Sequence, residues 1–268
     1  MGDLLRGDLG TSVVLRRDVG PDLARYFPAT LELVLAALGI GVVLGVPLGL
    51  IAAVYRDRLP DQLSRVFSLG MVSIPNFWLA IVLQLVLAFT LTILPFTGRF
   101  DRLLTPPTTI TGVYLLDSLL TLNFTAFGTA LRYLIAPAFC LSLGALATIA
   151  RTVRADLLDV LGTDYIRTAR AVGIPTSVLI LKYALKNASL NTLTQVGLFF
   201  GYTLTGSVLV ENIFSWPGIG NYAVSAALTK DFVPLMGVTL LTGFAIVVVN
   251  VLTDFLYLTL DPRIKYTS

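Results

Sequence analysis

The side chains best suited to something other than packing are few, and they fall at helical spacing. Asn187, Asn191 and Gln195 recur at i, i+4 and i+8, so a helix would set them in one polar stripe. Asn250 and Asp254 make a shorter stripe of the same kind. Groups so arranged can line a hydrophilic path or hydrogen-bond a neighbouring helix, and both readings stay open. Asp254 is the sharper case, because a lone carboxylate facing hydrocarbon is expensive, although it lies near the end of its apolar run, where water is close. A catalytic set is absent from the sequence pattern. There is no histidine, acids are sparse within the apolar runs, and the single cysteine, Cys140, permits no internal disulfide and no Cys/His zinc cluster.

The elements that must carry these residues follow from composition. Of 268 residues, 56% are hydrophobic and 13% charged, against about 25% charge in a soluble domain. The apolar residues gather in runs of roughly 20, the length that crosses a hydrocarbon core. Disorder is excluded by this composition, and a transmembrane barrel would show shorter alternating strands. The expected fold is therefore an all-α integral membrane protein with five spans, near residues 30–54, 67–94, 134–150, 190–210 and 238–260. Residues 1–29 are polar, carry no signal-peptide core, and read as a segment outside the spans.

Lys and Arg placement orients the bundle. One side holds Arg56, Arg58, Arg65, Arg151, Arg154, Arg167, Arg170, Lys182, Lys186, Arg263 and Lys265. The other holds Arg6, Arg16, Arg17, Arg25, Arg99, Arg102, Arg132 and Lys230, offset by acids that include Glu32, Asp101, Asp117, Glu211 and Asp231. The first side is expected to be cytoplasmic, with the C-terminus inside. Five spans then place the polar N-terminal segment outside, and an ordinary topology would be restored by a further span upstream of Met1.

Within the spans, Gly41, Gly45 and Gly49 repeat every four residues, a face that lets another helix approach closely. Pro47 beside them is positioned to kink that helix. Ser73-Ile-Pro-Asn-Phe-Trp78 predicts a kink or a junction, since Pro75 cannot donate a hydrogen bond and disfavours a helical Ile74, while Phe77 and Trp78 suit the headgroup level.

On the basic side, Asp164 begins a short helix in which Tyr165, Thr168, Ala169 and Val172 share a face, with Arg167 and Arg170 off it. A carboxylate suits the first turn, and Gly173 can end the helix in a left-handed conformation, after which Pro175 starts a second helix. This segment, about 155–188, either fits a groove in a partner or lies on the inner leaflet with its arginines at lipid phosphates. On the other side, Trp216 suits a membrane interface and Pro217, Gly218 and Gly220 form a turn that either braces an outer mouth or is a simple surface or re-entrant turn.

These segments together resemble the inner-membrane permease subunits of binding-protein-dependent ABC importers, in the dipeptide/oligopeptide/nickel branch. The resemblance runs through Arg6-Gly-Asp-Leu-Gly-Thr-Ser12, Pro28-Ala-Thr-Leu-Glu-Leu33, Ser73-Ile-Pro-Asn-Phe-Trp78, Thr168-Ala-Arg-Ala-Val-Gly173, Tyr183-Ala-Leu-Lys-Asn-Ala188, Val210-Glu-Asn-Ile-Phe-Ser-Trp-Pro-Gly-Ile-Gly220 and Asp261-Pro-Arg-Ile-Lys-Tyr266. The leading Glu and final Pro of the superfamily's cytoplasmic signature are missing; Arg167-Thr-Ala169 stands in place of its triplet.

The resemblance implies a permease-like helical bundle over 30–266 and a family first span that this chain lacks. It implies no catalysis and no cofactor on this chain, with ATP and Mg held by partner subunits. The implied partners are a second homologous permease, two cytoplasmic ABC ATPases, an extracytoplasmic solute-binding protein and membrane lipid, with no nucleic acid. Residues 164–173 would be the surface that couples to an ATPase, and the cargo a di- or oligopeptide, with nickel or an oligosaccharide as alternatives. The rivals predict other patterns. An ion-coupled transporter needs repeats and mid-membrane carboxylates, and a membrane scaffold needs no docking helix.

Overall fold

Apolar runs longer than 20 residues can satisfy their backbone in lipid only within the segment, as helix. The computed structural model describes residues 9–95 and 97–260, apart from the side chains of 187–190, 259 and 260. Among the described residues Thr11 and Asp18 form an isolated antiparallel bridge, and the regular elements that follow it are helices. In chain order they are α1 Val19–Val54, α2 Leu59–Ser73, α3 Asn76–Leu83, α4 Tyr114–Leu120, α5 Phe124–Leu161, α6 Asp164–Ala171, α7 Thr176–Val178, α8 Leu185–Ile213, α9 Ile219–Leu228 and α10 Phe232–Leu260. A π-helical stretch, Gln84–Thr90, continues α3, and another, Leu179–Ala184, joins α7 to α8. Asp261-Pro-Arg-Ile-Lys-Tyr266 and the start of Arg6-Gly-Asp-Leu-Gly-Thr-Ser12 lie outside the described residues.

Four helices, α1, α5, α8 and α10, are long and apolar enough to cross a membrane. The second expected span is instead a broken pair, α2 and α3 with its π extension, which makes a fifth span only when counted as one. The break falls at Ile74 and Pro75, both extended (φ −85°, ψ 122° and φ −64°, ψ 131°). Pro75 supplies the reason: no N–H for a ladder and a clash with a helical predecessor. Pro47 does not interrupt α1.

The helices outrun the expected spans. α1 starts at Val19 rather than near 30, and α5 covers Phe124–Leu161 rather than 134–150. Hydropathy sees only the apolar middle, whereas the polar turns beyond it are satisfied by protein partners. Asp22 in the first turn of α1 accepts hydrogen bonds from Arg17 Nε at 2.8 Å and from the Tyr222 hydroxyl at 3.2 Å. Burial and the Asp22 carboxylate push the Tyr222 phenol up to about 12, so it remains a donor.

The chain divides into two compact units. One gathers the residues up to Ala37 with Pro75–Leu141 and Gly201–Val247. Val19, Leu23, Ile219 and Tyr222 form a buried cluster there, flanked by Tyr26, Phe27 and Leu241, and the Tyr26 and Tyr222 rings stack at 5.1 Å. The other gathers Leu38–Ile74, Ser142–Phe200 and the residues from Val248. In it the glycine face of α1 lies directly on α5. A Cβ at Gly45 would sit 2.9 Å from the Leu146 carbonyl oxygen, and one at Gly49 would sit 2.5 Å from that of Ala150. Helix packing is therefore what the four-residue glycine spacing encodes.

Candidate functional site

The segment expected to dock a partner forms a helix of eight residues, α6, with a hydrogen-bonded stop at its C-terminal end. Thr163 before it is extended (φ −74°, ψ 155°), and Asp164 occupies the first turn, where its charge suits the helix dipole. At the far end Gly173 has φ +83°. Its N–H donates to the Arg170 carbonyl at 3.1 Å and the Ile174 N–H to that of Ala169 at 3.2 Å, the paired closure of a Schellman turn. Gly173 thus ends the helix in the conformation that glycine adopts without strain.

α6 packs on the Leu179–Ala184 stretch, where Leu179, Ile180 and Ala184 are buried. Its own anchor is Ile166, fully buried. Ile166 was not among the residues singled out from the sequence, although an isoleucine between polar neighbours on a short helix is the signal that would have found it. Tyr165, Arg167, Thr168, Arg170 and Val172 remain exposed and Ala169 is half-buried. The Arg167–Asp164 pair, at 3.4 Å in open solvent, fixes little. The second helix after Pro175 is not separate from the fourth span: α7, the π stretch and α8 run on without a break.

The polar stripes come out differently. The Asn187 side chain lies outside the described residues. Asn191 donates its Nδ2 to Asp156 Oδ1 at 3.0 Å, a bond between α8 and the polar end of α5. Gln195 is half-buried, and Asn250 and Asp254 are exposed on α10. Between these last positions the helices nearly touch: a Cβ at Gly197 would stand 2.6 Å from Thr253 Oγ1.

The turn at 214–220 is buried except at Ser215 and Pro217, which are exposed. Trp216, expected at a lipid interface, is fully buried, and its indole N–H donates to the Ala29 carbonyl at 2.8 Å. An aromatic with one polar edge is as well satisfied by a buried carbonyl as by headgroups. Beside it sits Glu211, also fully buried. Its Oε1 accepts from the Thr30 hydroxyl at 2.7 Å and the Ser207 hydroxyl at 3.0 Å, and its Oε2 accepts from the Asn221 N–H at 3.1 Å. Thr30 accepts in turn from the Ile219 N–H at 2.9 Å. A Cβ at Gly218 would fall on the Thr30 hydroxyl and the Glu211 carboxylate, and one at Gly220 would lie 2.8 Å from Glu211 Oε2. These glycines leave room for the carboxylate, and Pro217 separates them from the indole.

Two further ion pairs were missed when charges were merely counted by side. Glu32 receives Arg99 Nε at 2.9 Å and the Leu115 N–H at 2.7 Å, and the Arg99 guanidinium lies 3.8 Å from the centre of the Tyr114 ring. Asp61, fully buried at the start of α2, takes Arg154 Nε at 2.6 Å and Nη2 at 2.8 Å, Arg65 Nη2 at 2.7 Å and the Asp57 N–H at 2.9 Å. Only the Asp61–Arg65 half was legible, as an i, i+4 pair. Among the described residues no group of three or more His, Cys, Asp or Glu is placed to hold a metal ion.

Comparison with known proteins places this arrangement. The family described as the inner membrane component of binding-protein-dependent transport systems matches residues 45–266. The probable D,D-dipeptide transport system permease protein DdpB of Escherichia coli (strain K12) is 45% identical over 264 residues, taking in 98% of this chain and 78% of that protein. The dipeptide transport system permease protein DppB of Alkalihalophilus pseudofirmus is 39% identical over 266 residues, 99% of this chain and 80% of that one. Among solved structures, the MetNI methionine ABC transporter in inward-facing conformations gives a TM-score of 0.67 at 17% identity, covering 89% of this chain and 96% of that chain. An amino acid ABC transporter solved with histidines gives 0.58 at 16% identity, covering 88% and 93%. The structural likenesses speak to the fold, an all-α membrane bundle like that of ABC-importer permeases. With the sequence matches they establish that this multi-pass, non-catalytic chain belongs to the binding-protein-dependent transport system inner membrane components, as a permease subunit of the ABC peptide-importer kind.

Proposed function

We propose that the chain is one of two permease subunits of an ATP-driven importer that moves short peptides into the cytoplasm. The observation that carries this is α6: a short helix stopped at Gly173 and anchored by the buried Ile166, with Tyr165, Arg167, Thr168 and Arg170 exposed. Such a rigid, partly charged knob is shaped to seat in a cleft of a soluble ATPase. The dipeptide and D,D-dipeptide transport systems named for its relatives favour a short peptide as cargo over nickel or an oligosaccharide.

In this reading α6 faces the cytoplasm in the cell membrane, with Asp164, Tyr165, Arg167, Thr168, Ala169, Arg170 and Gly173 forming the coupling surface. ATP held by two ATPases draws the coupling helices together, and the spans respond as a two-state element that opens outward to a solute-binding protein and resets on hydrolysis. The C-terminus lies inside, and residues 1–29 with Trp216, Pro217, Gly218 and Gly220 belong to the outer side, where the buried turn braces the mouth. Asn187, Asn191 and Gln195 on one stripe, and Asn250 and Asp254 on another, serve the path or the contact with the second permease. Asn191 does so while tied to Asp156.

The test is co-purification with candidate ABC ATPases from the same organism, together with uptake in vesicles containing the whole assembly. Arg170→Glu reverses an exposed charge without touching Ile166, so the bundle should still assemble while ATPase retention and peptide uptake fall about tenfold or more. Undiminished retention and uptake would remove α6 from the coupling role.

A further inference from the structure

In the unit that contains the Trp216 turn, one recess holds unlike charges that do not meet. It measures about 350 Å³ and lies between the residues that follow the π-helical end of α3 and the first turns of α5. Asp101, Arg132, Thr92, Thr129 and Tyr133 are among the residues that line it, and the Thr129 hydroxyl donates to the Thr125 carbonyl at 2.9 Å. Asp101 Oδ1 accepts one bond, from the Leu103 N–H at 2.9 Å, and Arg132 Nη2 donates one, to the Ile93 carbonyl at 3.2 Å. The two charges form no ion pair with each other, and each keeps most of its hydrogen-bonding capacity open.

We propose that this recess binds a short peptide as a zwitterion, its ammonium at Asp101 and its terminal carboxylate at Arg132, with the Tyr133 and Thr129 hydroxyls beside them. The proposal rests on the transport reading above and names a point at which this subunit itself grips the solute. Opposite charges held apart in one recess match a ligand that carries both. The volume stands at the small end of the range for small-molecule sites, roughly 300–1,000 Å³, which suits a dipeptide better than a longer chain. A guanidinium is the preferred group for a planar carboxylate. A phosphoethanolamine headgroup carries the same two charges, so the experiment must separate peptide from lipid.

The probe is alanyl-photoleucine, a small diazirine dipeptide, applied to the full transporter in phosphatidylcholine vesicles, with the label mapped by mass spectrometry. The label should map to residues 92–104 and 129–133. Excess Ala-Ala should displace it, whereas N-acetyl-Ala-Ala-amide, which has neither charge, should not. Arg132→Gln and Asp101→Asn should each lower labelling about tenfold, the loss of one charge-assisted hydrogen bond. The displacement pattern in the wild type decides the matter even where a variant assembles poorly. Labelling elsewhere in the chain, equal labelling of well-assembled variants, or equal displacement by the capped peptide overturns the site. So does displacement by added phosphatidylethanolamine but not by Ala-Ala, which assigns the recess to lipid. Ala-Ala uptake by the same vesicles tests the transport reading separately: uptake without recess labelling defeats the site alone, and no uptake defeats transport whatever the label shows.

Discussion

Gly218 and Gly220 exist for the sake of a neighbour. Glu211 is a fully buried carboxylate, and burying such a group is tolerable only when its oxygens are occupied. The space a side chain at 218 would take is held by Thr30 and Glu211 themselves. Gly218→Ala is therefore expected to cost about 3 kcal/mol, the upper part of the usual range for overpacking. Gly70→Ala, where an added Cβ meets nothing, should be neutral or stabilising by up to about 1 kcal/mol. Thermal unfolding of the detergent-solubilised chain, followed by tryptophan fluorescence, compares the two, and equal melting temperatures would contradict the account of Gly218. Two acids in loops or short helices make a second test. At Asp117, burial works to raise the carboxyl, but the Thr111 hydroxyl and the N–H groups of Thr111, Ile110 and Gly112 outweigh it and hold it below the ordinary value. At Asp231 the Ser12 hydroxyl, bonded at 2.5 Å, leads the same effect. A carboxyl lowered in the folded state adds stability above its unfolded value of about 3.9 and loses it as pH falls through the folded value. The melting temperature should thus drop below about pH 4, and Asp231→Asn should flatten that drop. An unchanged profile in the variant would deny Asp231 its part.

At the scale of elements, the decisive contacts join helices far apart in sequence. α2 begins with Asp61 gripped by Arg154 from α5 and by Arg65 from its own next turn. Removing one partner of a buried pair costs about 3–5 kcal/mol, and exposure of Arg65 lowers the figure here to roughly 2–3 kcal/mol for Asp61→Asn. Arg65→Gln should cost far less, because Arg154 keeps both of its bonds. Hydrogen exchange of residues 57–68 reads the difference, and equal protection in both variants would contradict the ranking. The α6 element was legible because its signals are local: an acid at the start, a glycine at the stop, a proline to begin again. Ile166 as anchor was not, since its burial arises only once α6 packs on residues distant from it in the local pattern, the Leu179–Ala184 stretch among its element's contacts. The π-helical stretches were equally invisible, for a one-residue widening of the turn leaves the apolar pattern almost unchanged.

For the whole molecule, orientation is the property most open to test. Cys140 is buried in α5, so the native chain offers little thiol to a reagent. Arg170→Cys should react with a membrane-impermeant maleimide only when the cytoplasmic face is accessible, and Leu103→Cys, at 93% exposure, only from the outside. The reverse pattern would invert the topology. The outward apolar surface is large: only 17% of the α10 window is buried within the chain. Lipid or a neighbouring protein surface must cover it, because so large an apolar face is not stable in water.

Local pattern was enough for the membrane class, the approximate positions of four spans, the ends of α6 and the meaning of the glycine spacing in α1. Each of these is written in composition or in neighbours three or four residues apart. Tertiary structure alone decided that Trp216 faces a carbonyl rather than lipid, that Glu211 and Asp61 are buried hubs, that Asn191 is tied to Asp156, and that the second span breaks into two helices. Pro75 announced the break but not whether the chain would bend or start anew. A charge or an indole carries the same letter whether it ends in water, in lipid or against a partner, and that partner is fixed only when distant helices meet.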